Sequence, residues 1–328
     1  MLRRLRTPLV TAGGLATASL IDRALTPRLK PLSTVAASAT SVGSVQLFQY
    51  DICPFCNKLK ALLDLHRVPY DTTEVNPLTK SEIKSWSGGY KKVPIAMLGG
   101  EQVNDSPVIA QELIQRIAAA GVMTPEQVAE FNSPKAKEWA KWSDEKFAVR
   151  ACAHARANRA RAHARPPPAV RAAVSPDTTS SHPDAPGWWR AQVLLFPNIT
   201  RSFGEAYETF GYVMSVPHFS YVDKWSNQLV GAFFMWLAQG KIKKKYAIDD
   251  ERAAVIAGVE HWLSEGVGKA TFAGGEKPNL ADVCVFGCLK AIDRTTAFQE
   301  IMRETEISPW YERMREVVQP GQSCAVRQ

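Results

Sequence analysis

Cysteine is scarce in this chain, with six residues in 328. That is too few, and too scattered, for a disulfide scaffold. It suits a reducing compartment, where a close pair of thiols is redox-active or catalytic. Long apolar runs are also missing. The uncharged stretch Thr7–Ile21 covers 15 residues and contains Gly13 and Gly14, short of the roughly 20 apolar residues that a membrane-spanning helix needs. Leu229–Gly240 (LVGAFFMWLAQG) is shorter still and runs into Lys241, Lys243, Lys244 and Lys245. It reads as a buried helix closed by cations that complement its dipole, with peripheral contact to a membrane as the other reading. The Cys53/Cys56 pair has no second Cys-x-x-Cys and no Cys/His cluster to complete four zinc ligands, since Cys152 falls in an irregular insert. No metal is expected.

Net positive charge is missing from the part that should fold. The net charge is +8, but residues 1–45 and residues 150–192 each carry +5, which leaves −2 for everything else. A basic chain whose presumed folded part is slightly acidic does not offer a nucleic-acid-binding surface.

Both basic segments are irregular. Residues 1–44 are rich in Arg, Ser, Thr and Ala with one acid, the composition of an organellar transit segment, and mitochondrion and plastid are not distinguished. A secretory signal fits less well, because export would oxidise the thiol pair. Residues 150–192 contain no Lys, Leu or Ile and have no usable periodicity. They read either as a disordered insertion or as the translation of a GC-rich intron, and deleting them joins WSDEKFAV to VLLFPN without damage.

What remains is patterned. Val45–Tyr50 is a β-rich run that ends just before the thiol pair, and Pro54 can occupy the first turn of a helix whose apolar positions recur through His66. Strands are expected at Val68–Val75, Val93–Leu98 and Gln102–Val103, the last two joined at Gly99-Gly100, and a short helix at Lys80–Trp86. Asn104-Asp105-Ser106-Pro107 opens a helix to about Ala120, with Asp105 and Ser106 as cap candidates. From Thr124 the pattern is helical: Glu126–Val149, Phe203–Met214, Tyr221–Ala238, Asp249–Gly266 and Leu280–Ala291. Asn279 and Asp282 form a capping box ahead of a buried helix, in which Cys284 and Cys288 act as small core fillers. The fold class is therefore an α/β thioredoxin-like domain over 45–121 followed by an all-α domain over 122–149 and 193–318, with 319–328 as a tail.

Cys53-Pro54-Phe55-Cys56 carries the chemistry. A sulfur placed between a strand and a helix start sits where helix N–H groups and the dipole favour its thiolate. The second sulfur lies one turn further in and can resolve a mixed disulfide.

The strand–CPFC–helix block, the Val93-Pro94 dipeptide and the Asn-Asp-Ser helix start resemble glutaredoxins and the N-terminal domain of glutathione transferases. The resemblance implies a cis proline at Pro94, the Val93 backbone offered to glutathione, and Asp105 and Ser106 holding its γ-glutamyl carboxylate. The wider set is similar to the membrane-associated prostaglandin E synthase type 2 family. It comprises Phe48-Gln-Tyr-Asp-Ile-Cys-Pro-Phe-Cys, Glu74-Val-Asn-Pro, Tyr90-Lys-Lys-Val-Pro-Ile, Gly274-Gly-Glu-Lys-Pro-Asn-Leu-Ala-Asp and Ile307-Ser-Pro-Trp-Tyr. This implies a transferase-like all-α second domain and isomerisation of the endoperoxide prostaglandin H2 to prostaglandin E2, with glutathione bound. Cys53 is then the nucleophile, Tyr50 hydrogen-bonds its sulfur, Cys56 is secondary, and Phe55 either lies beside the lipid, in a hydrophobic pocket between the domains, or only fills the core. The animal branch also binds haem through a histidine just before the segment matching Leu194–Asn198. Valine stands there in this chain, Val149 or Val193 depending on how the insert is treated. The residues leave two other functions open: a glutathione-dependent thiol–disulfide oxidoreductase and a non-catalytic glutathione- or haem-binding regulator. A homodimer also remains open.

Overall fold

The computed structural model describes residues 41–145, 194–246 and 248–319. Most of the transit-like segment, the 150–192 insert, most of the tail and both valines at the haem-ligand position lie outside the described residues.

Strand periodicity separates two apolar layers in the first domain. β1 (Val45–Gln49), β2 (Asp71–Glu74), β3 (Ile95–Leu98) and β4 (Glu101–Asn104) form one sheet in the order β2-β1-β3-β4. β1 runs parallel to β2, with Gln46 opposite Asp71, and antiparallel to β3, with Phe48 opposite Ile95. Successive side chains on a strand point to opposite faces. Leu47, Ala96 and Leu98 therefore join the core beneath α1 (Pro54–Leu65) and α3 (Ser106–Ala119), while Phe48 and Ile95 meet Val75 and Ile83 of the short α2 (Ser81–Lys84) on the other face. This is the expected thioredoxin-like arrangement, with β2 and α2 each shorter than the sequence pattern predicts.

The second domain is helical, as expected, but several boundaries differ. The helix expected over Glu126–Val149 is two, α4 (Pro125–Phe131) and α5 (Pro134–Glu145), because Pro134 cannot continue the preceding helix. After the undescribed segment come α6 (Leu195–Ile199), α7 (Phe203–Phe210), α8 (Tyr221–Ser226), α9 (Ala232–Tyr246), α10 (Glu251–His261), α11 (Leu280–Lys290), α12 (Thr296–Glu304) and α13 (Ser308–Val317). The last two escape the sequence pattern. A larger correction concerns Leu229–Gly240: Leu229, Phe233, Phe234 and Leu237 are exposed, so this stretch is not a buried helix.

Helix α11 joins the domains. It is buried from Ala281 to Leu289, as a helix apolar on all sides must be. Its start is fixed by the predicted capping box: Asn279 Oδ1 accepts from the N–H groups of Ala281 (2.9 Å) and Asp282 (3.3 Å), and Asp282 Oδ2 accepts from Asn279 N–H (3.0 Å). The buried Asp282 also accepts from Ala273 N–H (2.9 Å) and Trp310 Nε1 (3.0 Å). Cys284 and Cys288 fill the core beside it, as read from the sequence. Gly287 faces the backbone of α1 so closely that a Cβ there would lie 2.5 Å from Lys58 N and 2.6 Å from Lys58 Cα.

Gly287→Val should therefore cost about 3 kcal/mol, the upper range for overpacking, because backbone rather than a movable side chain is in the way. Urea denaturation measures it, and an unchanged midpoint would show that the two helices can separate at no cost.

Candidate active site

The loop between β1 and α1 is built by short-range hydrogen bonds that leave Cys53 at the helix entrance. Cys53 N–H donates to the Tyr50 carbonyl (2.9 Å), closing a turn. The buried Asn57 donates Nδ2 to the carbonyls of Asp51 (2.6 Å) and Cys53 (3.0 Å). Glu74, at the end of β2, accepts Asp51 N–H (2.8 Å) and Gln49 Nε2 (3.2 Å). Cys53 then occupies the N-cap position with extended backbone, and Pro54 is the first helical residue. No acidic residue stands in the first turn of α1, so nothing local offsets the positive end of its dipole.

The two thiols are electrostatically unequal. Burial opposes a charged Cys53, but the Cys56 thiol donates to it, the N–H groups of Cys56 and Phe55 point at it, and Lys60 adds positive charge. Its pKa falls below the ordinary thiol value. Cys56 is pushed well up, first by burial and then by donating a hydrogen bond to Cys53 and facing that sulfur's charge. Of the two sulfurs, Cys53 is therefore the one that ionises first, with the Cys56 thiol as its hydrogen-bond donor.

Seven of the eight residues singled out from the sequence line one cavity of about 720 Å³: Tyr50, Cys53, Phe55, Val93, Pro94, Asp105 and Ser106. Cys56, fully buried, is not on its wall. The Val93-Pro94 peptide is cis, and Lys137, Ala140, Lys141 and Asp144 of α5 close the cavity from the second domain. The cavity thus lies between the domains. A second cavity of about 680 Å³ shares Ser106, Pro107, Lys137, Ala140, Asp144 and Leu280 with the first and is otherwise walled chiefly by apolar side chains such as Leu59, Leu62, Ile114 and Val283.

Two details differ from the sequence reading. The Tyr50 hydroxyl accepts a hydrogen bond from Lys80 Nζ, not one involving the Cys53 sulfur. Lys80 also lies 5.1 Å from the centroid of the Tyr50 ring. Burial, followed by the charge on Cys53, raises the Tyr50 pKa, and burial lowers that of Lys80 against the pull of Glu82. Asp105 occupies the N-cap position of α3 with φ 68°, but its side chain does not cap the helix. Its Oδ1 instead accepts from the Tyr90 hydroxyl (2.8 Å). The first N–H groups of α3 are therefore left to an anion, which helix N-termini favour.

Sequence reasoning did not assign a role to the cations. Five lysines (Lys80, Lys91, Lys92, Lys137 and Lys141) line the cavity against two acids, Asp105 and Asp144. The four-residue spacing of Lys137 and Lys141 put them on one helix face, but only the tertiary structure brings that face to Cys53. Among the described residues no group of three or more His, Cys, Asp or Glu could hold a metal ion.

The chain is similar to known proteins. Residues 47–120 match the family model described as glutathione S-transferase, N-terminal domain. The chain is 31% identical over 313 residues to prostaglandin E synthase 2 of Danio rerio, covering 94% of this chain and 80% of that protein. It is 32% identical over 288 residues to prostaglandin E synthase 2 of Mus musculus, covering 84% and 71%. Among solved structures, the β-etherase LigF of Sphingobium sp. strain SYK-6 is similar at TM-score 0.49 and 15% identity, covering 84% of this chain and 96% of that one.

Two pH experiments follow. In Cys56→Ala the donor to Cys53 is gone, so the midpoint of Cys53 alkylation by iodoacetamide should rise towards that of an ordinary thiol; an unmoved midpoint would mean that Cys56 does not stabilise the thiolate. Burial and the Asp51 charge raise Glu74 from 4.5 to about 8. The folded protein then keeps a proton there that the unfolded chain loses, so stability falls as pH rises between ~5 and ~8 and is level above. Glu74→Gln should flatten that fall in urea midpoints, and equal slopes in both proteins would contradict the assignment.

Proposed function

Since the chain belongs to the prostaglandin E synthase 2 family, we propose that it isomerises a fatty-acid endoperoxide, prostaglandin H2, to the ketone prostaglandin E2, with Cys53 as nucleophile and glutathione bound beside it. The observation that carries this reading is the placement of a stabilised Cys53 on a 720 Å³ cavity that shares a wall with a second, apolar one. A branched lipid needs such room, with its chains on apolar walls and its acid end near cations.

The chemistry balances without an outside oxidant. The Cys53 thiolate attacks one oxygen of the weak O–O bond, an S–O bond forms, and the bonding pair leaves on the other oxygen. That oxygen takes a proton and becomes the hydroxyl. Loss of the ring C–H proton beside the S–O link then forms the ketone, and the S–O pair returns to sulfur. Lys80, hydrogen-bonded to Tyr50 on the same wall, is the candidate source of the first proton. Phe55 packs beside the substrate.

The residues present fit glutathione: the Val93 backbone and Pro94 lie on the cavity wall, and the uncapped start of α3 at Ser106 suits its γ-glutamyl carboxylate. When bound, glutathione supplies a thiol that can reduce an oxidised Cys53.

A second reading, dithiol–disulfide exchange, is favoured by the Cys56 thiol lying on the Cys53 sulfur. The full chain assayed with prostaglandin H2 and with a protein disulfide separates the two. Cys53→Ser should lose both activities by at least about a hundredfold, as removal of a nucleophile does. Cys56→Ser should keep most of the isomerase turnover and lose disulfide reduction. Full turnover of the endoperoxide by Cys53→Ser would end the isomerase mechanism given above.

A further inference from the structure

The two cavities differ in what they can hold. A pocket of ~300–1,000 Å³ serves one drug-sized ligand. The cavity on Cys53, at about 720 Å³, would have to take glutathione and a long-chain lipid together. The second cavity offers about 680 Å³ more behind a common wall, in which Ala140 is the smallest side chain. Beyond that wall α1, α3 and α11 enclose it with Leu59, Leu62, Ala110, Ile114 and Val283. Two of its charged residues, Lys58 and Asp144, are paired with each other, and the third is Lys137.

The lysines of the first cavity are not equivalent. Lys80 is engaged with Tyr50. Lys91 and Lys92 directly precede Val93, at the end that suits glutathione, and Lys92 lies 5.8 Å from the centroid of the Tyr90 ring. Lys137 comes from α5, on the wall supplied by the second domain. It is exposed, and its side chain has no ion pair or hydrogen bond among the described residues. Among those residues it is also the only lysine that lines both cavities. An unpaired ammonium at the edge of an apolar space draws an anion more strongly than one surrounded by water, because the local dielectric is lower.

We infer that Lys137 holds the carboxylate of the lipid substrate where the two cavities meet, and that the second cavity takes the substrate's apolar tail. This deepens the isomerase reading and rests on it. The acid and the tail belong to different branches of the endoperoxide ring, so two anchors fix the ring between them and leave its O–O bond on the Cys53 side of Ala140. The oxygen that Cys53 attacks is the one that becomes the ketone. Holding both branches therefore selects one ketone over its isomer, by orientation alone.

Calorimetric titration of the full chain with glutathione present tests this. The probe is a stable analogue of prostaglandin H2 with a non-reactive bridge in place of O–O, used as the acid, as its methyl ester and as an acid with a shortened tail. The wild type should bind the acid about tenfold more tightly than the ester, the worth of one charged hydrogen bond, and Lys137→Glu should lose that preference. Ala110→Phe, which fills the second cavity, should weaken the full-length acid about tenfold and spare the shortened one; Ala118→Phe, on the same cavity, decides the matter if Ala110→Phe fails to fold. With prostaglandin H2 itself, Lys137→Glu should raise KM more than it lowers kcat and release the isomeric ketone beside the expected one. Equal binding of acid and ester by the wild type, an acid preference that survives in Lys137→Glu, or equal loss of both tail lengths in the filled variants would each overturn the proposal. A wild type that shows both preferences but does not turn over prostaglandin H2 would end the isomerase reading and leave the two anchors standing, whereas turnover without either preference would do the reverse.

Discussion

Everything at the site depends on the closeness of α11 to α1, which only a glycine at 287 permits. The contact fixes the first helix of one domain against the most buried helix of the other, directly after the thiol pair. Lys58 sits in that contact, 6% exposed, and donates to Ser143 Oγ (3.0 Å) and to Asp144 of α5. Burial opposes its charge, but the neighbouring groups, led by Asp144, together hold its pKa above the ordinary lysine value and the ammonium persists. Such a pair adds little net stability, because desolvating two charges offsets their attraction. Its effect is positional, since a lysine left without Asp144 would be a buried lone charge. The register of α5 against α1 is thereby specified, and α5 is the wall that closes the cavity over Cys53.

The same cation does not activate the two thiols beside it. Cys284 is pushed up to about 12 and Cys288 is raised, in each case by burial ahead of any relief from Lys58. They sit at comparable depth to Cys53 yet have no helix N-terminus, and Cys53 has both the end of α1 and a neighbouring thiol as donor. Reactivity in this protein is therefore set by which dipoles face a sulfur, not by exposure, since Cys53 itself is only 4% exposed.

Much of this was legible in the sequence where the signal is local. Period-two alternation, Pro54 after Cys53, the Gly99-Gly100 hairpin and the Asn279/Asp282 box each encode an element within a few residues, and each element is there. The site residues were legible because a helix start and a Val-Pro turn are also local features. What escaped depended on tertiary contact. Asp105 looks like a cap, but its carboxylate is taken by Tyr90, fifteen residues upstream, and Tyr50 is engaged by Lys80 from the far side of β2. Neither pairing leaves a spacing that could be read along the chain.

The misreading of Leu229–Gly240 has a different cause. Helical periodicity reports that a face is apolar, and burial inside the same chain is the usual reason. Here the inner face is held by small and polar residues, Asn227, Gln228, Gly231 and Ala232, while the bulky aromatic and aliphatic side chains point outward. Small residues allow the helix to lie close to Phe210, and that closeness turns the large ones away. Hydrophobicity alone therefore gave the wrong side of the helix. The distribution of side-chain size gave the right one: the face that packs within a chain is the one with room for a neighbouring ring, and the face that carries the rings still needs a surface to cover them.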